Sequence, residues 1–96
     1  MLIVITYDVE TSSADGQRRL RRVAKVCKNY GQRVQNSVFE CILDSTQLVL
    51  IKSKLLKEID VKKDSLRLYK LGKSWEGKVE HFGIKPSYNP EGILIV

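Results

Sequence analysis

Histidine, cysteine and proline are nearly absent from this 96-residue chain, which holds one His, two Cys and two Pro. The cysteines, Cys27 and Cys41, stand far apart with no Cys-x-x-Cys pair. A structural zinc site takes four ligands at motif spacing, so none is expected, and the two thiols read as reduced and buried. His81 stands alone beside Phe82 and reads as a packed or surface residue rather than a base. Both prolines fall in "KPSYNPEG", residues 85–92, which reads as loop. No apolar stretch approaches the roughly 18 residues that cross a bilayer. The opening residues lack the basic n-region of a secretory signal, and an acid follows the first apolar run at once; a cytoplasmic protein without a membrane partner is expected. There is no P-loop, no nucleophile elbow, no Gly-rich dinucleotide fingerprint, no internal repeat and no low-complexity tract.

What is present is ordinary globular composition, 43% hydrophobic and 29% charged, in a length that suits a single domain over residues 1–96 with one modest core. Lys and Arg number 17 against 11 acids, a formal charge of +6, which favours an anionic partner, nucleic acid first.

"LIVITYDV", residues 2–9, reads as a central strand because such strands are near-continuous apolar runs. Leu2, Val4, Thr6 and Asp8 share one face, and Ile3, Ile5, Tyr7 and Val9 the other. "ETSSADG" offers Ser12, Ser13 and Asp15 as helix caps. Leu20, Val23, Ala24, Cys27 and Tyr30 recur at helical spacing, and Gly31 suggests a left-handed stop. "RVQNSVFECIL", residues 33–43, is too long for one simple strand, so a tight hairpin near Asn36–Ser37 is expected. Asp44 or Ser45 then caps a second helix with Leu48, Ile51, Leu55 and Ile59 on one face. "SLRLYKL" is another strand, and "VEHFGI" a short one. Trp75, in the loop "GKSWEGK", is a loop anchor or an interface side chain. The terminal "ILIV" pairs with a sheet edge, its own or a partner's. The order predicts an α+β fold: an antiparallel sheet with both helices on one face, the ferredoxin-like βαββαβ plan.

Two features carry chemistry. No acid lies between Asp15 and Glu40, while Arg18, Arg19, Arg21, Arg22, Lys25, Lys28 and Arg33 do. On a helix, Arg18, Arg21, Arg22, Lys25 and Lys28 gather within about a third of the circumference, with Arg19 nearer the apolar boundary. Like charges at i,i+4 repel by about 0.2–0.5 kcal/mol per pair, so a one-sign face is unlike an ordinary solvated one and suggests phosphate contacts. The second feature is Asp8, which ends the first strand and is either hydrated, paired with an arginine, or a metal ligand. For Mg²⁺ one or two carboxylates suffice, because the ion keeps its waters and takes substrate phosphate. Glu10 lies within turn sequence and is not enlisted. If the chain dimerises about a two-fold axis near this strand end, two copies of Asp8 can share one ion.

"YDV" closing the first strand, followed by "RRLRRVAKVCKNYGQRVQNSVFEC", resembles the CRISPR-associated endonuclease Cas2 family, the small core proteins of spacer acquisition. The resemblance implies a ferredoxin-like subunit in a symmetric homodimer, with an added C-terminal strand from the arm at residues 83–96 laid across the partner's sheet. It implies a Mg²⁺- or Mn²⁺-dependent phosphodiesterase with Asp8 as catalytic residue and metal ligand. It further implies that Tyr7, Arg18, Arg19, Arg22, Arg33, Ser37 and Phe39 serve nucleic-acid binding, duplex DNA favoured over RNA, and that the larger CRISPR-associated integrase is a partner. Two classes of function stay open on the residues: an endonuclease, which needs Asp8, and a DNA-holding scaffold, which needs only the basic face.

Overall fold

The computed structural model describes residues 1–71 and 79–84. Trp75, the prolines, "ILIV" and nearly all of the 83–96 arm lie outside the described residues. The elements run β1 (Leu2–Asp8), α1 (Ala14–Tyr30), β2 (Gln32–Gln35), β3 (Val38–Ile42), α2 (Ser45–Glu58), β4 (Ser65–Leu71) and β5 (Val79–Gly83). They build one sheet in the order β2-β3-β1-β4-β5, every neighbouring pair antiparallel. The first four strands and two helices are the ferredoxin-like plan, and β5 adds a fifth strand beside β4 of the same chain.

The apolar run places β1 at the centre, between β3 and β4. Its alternate residues Ile3, Ile5 and Tyr7 turn to one face with Phe39, Cys41, Leu66 and Leu68. Both helices cover that face, α1 through Val23 and Cys27 and α2 through Leu48, Ile51 and Leu55. Cys27 and Cys41 are free and buried, as small apolar residues would be. Helix α1 starts where Ser13 accepts from the Gly16 amide at 3.0 Å, and α2 where Asp44 and Gln47 form a reciprocal capping box. The hairpin turns at Asn36–Ser37, with a bulge between Arg33 and Gln35 that bends the exposed edge strand β2.

Gly31 corrects one expectation. Its φ of −162° is extended rather than left-handed. Glycine is needed there because a Cβ would overlap the Glu40 carbonyl and the Cys41 sulfur, where β3 passes under the end of α1. His81 is fully engaged: Arg67 Nε donates to its Nδ1 at 2.9 Å, so the ring proton sits on Nε2, facing the carbonyls of Gly83 and Ile84 at 3.2 and 2.7 Å. Glu80 ties β5 to α2 through Lys52 at 3.1 Å, with Lys70 at 3.4 Å.

Candidate nucleic-acid and metal site

Asp8 is the last residue of β1 and its side chain is exposed. By strand alternation it stands on the sheet face opposite the helices, and no described element lies over that face. The register sets successive rows across it: Ile42–Leu2–Leu71, then Glu40–Val4–Tyr69, then Val38–Thr6–Arg67–His81, and finally Asp8–Ser65–Gly83. The first row is apolar yet open, with Ile42 74% and Leu71 46% exposed. Among the described residues the Asp8 carboxylate makes no hydrogen bond or ion pair, and no group of three or more His, Cys, Asp or Glu side chains gathers anywhere. Glu10 is occupied: it accepts from the Ser12 amide at 3.1 Å and the Ser12 hydroxyl at 2.7 Å, bonds that hold its carboxyl below the usual range. Among the described residues a metal ion would therefore find one unpartnered carboxylate at this strand end.

Arg19 of α1 is committed to a different carboxylate. Arg19 binds Asp64 through Nε at 2.8 Å and Nη2 at 3.2 Å, with its side chain only 15% exposed. Asp64, at 0% exposure, also accepts from the Glu10 amide at 3.1 Å and the Asp60 amide at 2.8 Å. Burial of Asp64 pushes its pKa up, but Arg19 and the two amides outweigh that and hold it below the ordinary value. Arg19, which the resemblance places among the nucleic-acid contacts, is here one half of a clamp joining α1 to the loops after β1 and α2. Phe39, also placed among those contacts by the resemblance, is fully buried, its ring 6.2 Å from that of Tyr7 and under the Arg33 guanidinium at 5.2 Å. Tyr7 is in the core, its hydroxyl donating to the Asn36 carbonyl at 3.3 Å.

The remaining predicted cations are exposed. Arg18 lies 3.5 Å from Asp15 and Arg22 3.9 Å from Glu58, both loose surface pairs that leave the guanidinium hydrogens mostly free. Arg21, Lys25 and Lys28 have no acidic partner among the described residues. With Arg33 they surround a cleft of about 610 Å³ between α1 and the β2–β3 hairpin, lined also by Tyr7, Leu20, Ala24, Asn36 and Ser37. The structure thus brings Tyr7, Arg33 and Ser37 together on the helix side, keeps Arg18 and Arg22 on the outer surface of α1, and leaves Asp8 on the opposite sheet face. Arg21, Lys25 and Lys28 belong to the one-sign face whose spacing suggests phosphate contacts, although the family resemblance does not name them. Asp64 had no sequence signal at all.

The family described as CRISPR associated protein Cas2 matches residues 1–79. A protein of Halalkalibacterium halodurans named CRISPR-associated endonuclease Cas2 is 63% identical over 95 residues, covering 99% of each chain. One from Nitratidesulfovibrio vulgaris, named CRISPR-associated endoribonuclease Cas2, is 57% identical over the whole of this chain and 94% of its own. Among solved structures, Streptococcus pyogenes Cas2 at pH 6.5 superposes with a TM-score of 0.71 at 54% identity, covering 83% of this chain and 96% of that one.

Proposed function

The chain belongs to the CRISPR-associated protein Cas2 family, and from that premise we propose that it is a metal-dependent endonuclease of spacer acquisition. It hydrolyses phosphodiester bonds, with duplex DNA as first substrate and RNA as the alternative. It works as a symmetric homodimer beside the larger integrase of the system. The observation that carries the reading is Asp8, an exposed carboxylate without a partner among the described residues, at the end of the central strand of an otherwise family-like fold.

Its chemistry fits Mg²⁺ or Mn²⁺, hard ions that bind through one or two carboxylates and leave their other positions to water and phosphate. Bound there, such an ion would supply a polarised phosphate and a water of lowered pKa. The rest falls to the protein: Asp8 anchors the site, and Arg18, Arg22 and the stripe Arg21–Lys25–Lys28 hold the backbone of the nucleic acid by phosphate contacts that carry no sequence preference. One carboxylate per chain is sparse for hydrolysis, which is the reason for a dimer. A second copy seated on the open sheet face covers Ile42, Leu2 and Leu71, and a two-fold axis near the end of β1 lets both Asp8 side chains share the ion. The same sparsity of acids favours a second reading, a scaffold that holds duplex DNA for the integrase without cutting it.

The test is Asp8→Asn, which keeps shape and removes the charge. Cleavage dependent on Mg²⁺ or Mn²⁺ is expected to vanish while melting temperature and duplex affinity stay at wild-type values. A variant that still cuts at the wild-type rate would overturn the metal-ligand role. A wild-type protein that binds duplex steeply with salt yet never cuts leaves the scaffold reading standing alone.

A further inference from the structure

The cleft between α1 and the hairpin has a two-part chemistry that a straight duplex does not use. Its floor is apolar, made by Leu20, Ala24 and the Tyr7 ring, while Arg21, Lys25, Lys28 and Arg33 stand around its mouth. A duplex offers phosphates to such a rim but keeps its bases stacked inside, so the floor would stay empty. The volume of about 610 Å³ lies within the range of small-molecule sites, roughly 300–1,000 Å³. A group that is flat and apolar at one end and anionic at the other fills both parts.

We infer that this cleft holds a single unpaired nucleotide at the end of a strand lying on the α1 face. The inference rests on the nucleic-acid reading above and adds to it the form of nucleic acid bound. Arg33 is the central recognition residue. Its guanidinium carbon lies over the Phe39 ring, 5.2 Å from the centroid, and the side turned away from that ring is where a base would stack. Arg21, Lys25 and Lys28, spanning seven helical steps, present cations along about 10 Å, enough to follow the phosphates that lead to the bound nucleotide. The side chains of Asn36 and Ser37 make no hydrogen bond among the described residues, and they stand at the hairpin turn as donors and acceptors for a base edge. Asn36 also gives its carbonyl to Tyr7, and Ser37 its carbonyl to the Tyr7 amide, so the turn that bears them is anchored to the central strand.

The experiment compares a blunt duplex with the same duplex carrying a two-nucleotide unpaired overhang, at one fixed salt concentration. The overhang should bind about five- to 160-fold tighter, the range for one stacked base. Ala24→Leu fills the floor without touching a charge, and should erase that preference while leaving blunt-duplex affinity unchanged. A 2-aminopurine placed in the overhang should change its fluorescence on binding wild-type protein, whereas the same base inside the duplex should not, a readout that needs no variant to fold. Equal affinity for the two duplexes, or a preference that survives Ala24→Leu, overturns the inference while the duplex-binding reading stands. Failure to bind the blunt duplex at low salt overturns both.

Discussion

Removal of the Asp64 carboxylate is the sharpest test of how the basic helix is held. Asp64→Ala takes away the acceptor of four hydrogen bonds: two from Arg19 at 2.8 and 3.2 Å, one from the Glu10 amide at 3.1 Å and one from the Asp60 amide at 2.8 Å. At 0% exposure no water stands ready to replace it. Breaking a buried pair by deleting one partner costs about 3–5 kcal/mol, because the groups left behind keep their desolvation penalty. In a domain of this size each kcal/mol moves the melting temperature by about 4–8 °C, so a fall of at least about 12 °C is expected. The assay is thermal unfolding by circular dichroism at one protein concentration. Arg19→Ala should melt early as well, and the double variant should lose less than the sum of the two, since the members of one network couple. Arg18→Ala and Arg22→Ala should melt within a few degrees of wild type, exposed pairs contributing about 0–1 kcal/mol. An Arg19→Ala protein that melts like wild type but loses nucleic-acid affinity as Arg22→Ala does would refute the clamp and return Arg19 to the phosphate-binding set.

The carboxyls of Asp64 and Glu80 are both held below their ordinary values, against burial, by Arg19 and two amides in one case and by Lys52 and Lys70 in the other. A depressed folded-state pKa gives stability that is complete above the unfolded value near 4 and lost as pH falls through the folded one. The melting temperature should therefore drop below about pH 4, and Asp64→Ala should show a shallower drop; equal slopes would contradict the assignment. Burial pushes the Cys27 thiol up to about 12, with Cys41 beside it raised in the same way. At pH 8 a thiol reagent should label neither in the native protein and both after unfolding in urea, and rapid native labelling would show that the core opens.

Much of this molecule is legible in one dimension. The strand at residues 2–8 follows from an unbroken apolar run, and α1 and α2 from apolar residues three and four apart behind a serine or aspartate cap. The hairpin follows from a run too long for one strand with Asn and Ser at its middle. Each of these depends on residues within a turn or two of one another, which is why pattern suffices. The one local misreading, Gly31, has a non-local cause: its missing side chain makes room for Glu40 and Cys41 on β3, not for a left-handed turn.

The candidate site divides along the same line. Sequence by itself determined that a carboxylate ends the central strand, that α1 carries cations of one sign over its outer face, and that Tyr7 and Asp8 point to opposite sides of the sheet. Only the tertiary structure decided which of those cations are free. Arg19 and Asp64 are 45 positions apart, and nothing in the spacing of either one announces the other. The chain fold brings them to a buried point where a carboxylate must find a counter-charge, and the neighbouring Arg18 and Arg22, about 100° and 60° away round the helix, stay in water. In the same way Arg33 meets α1 only because the hairpin folds back beside it, so the cleft exists in no stretch of sequence. Periodicity states which way a side chain leaves its own element, whereas partnership depends on which other element arrives there.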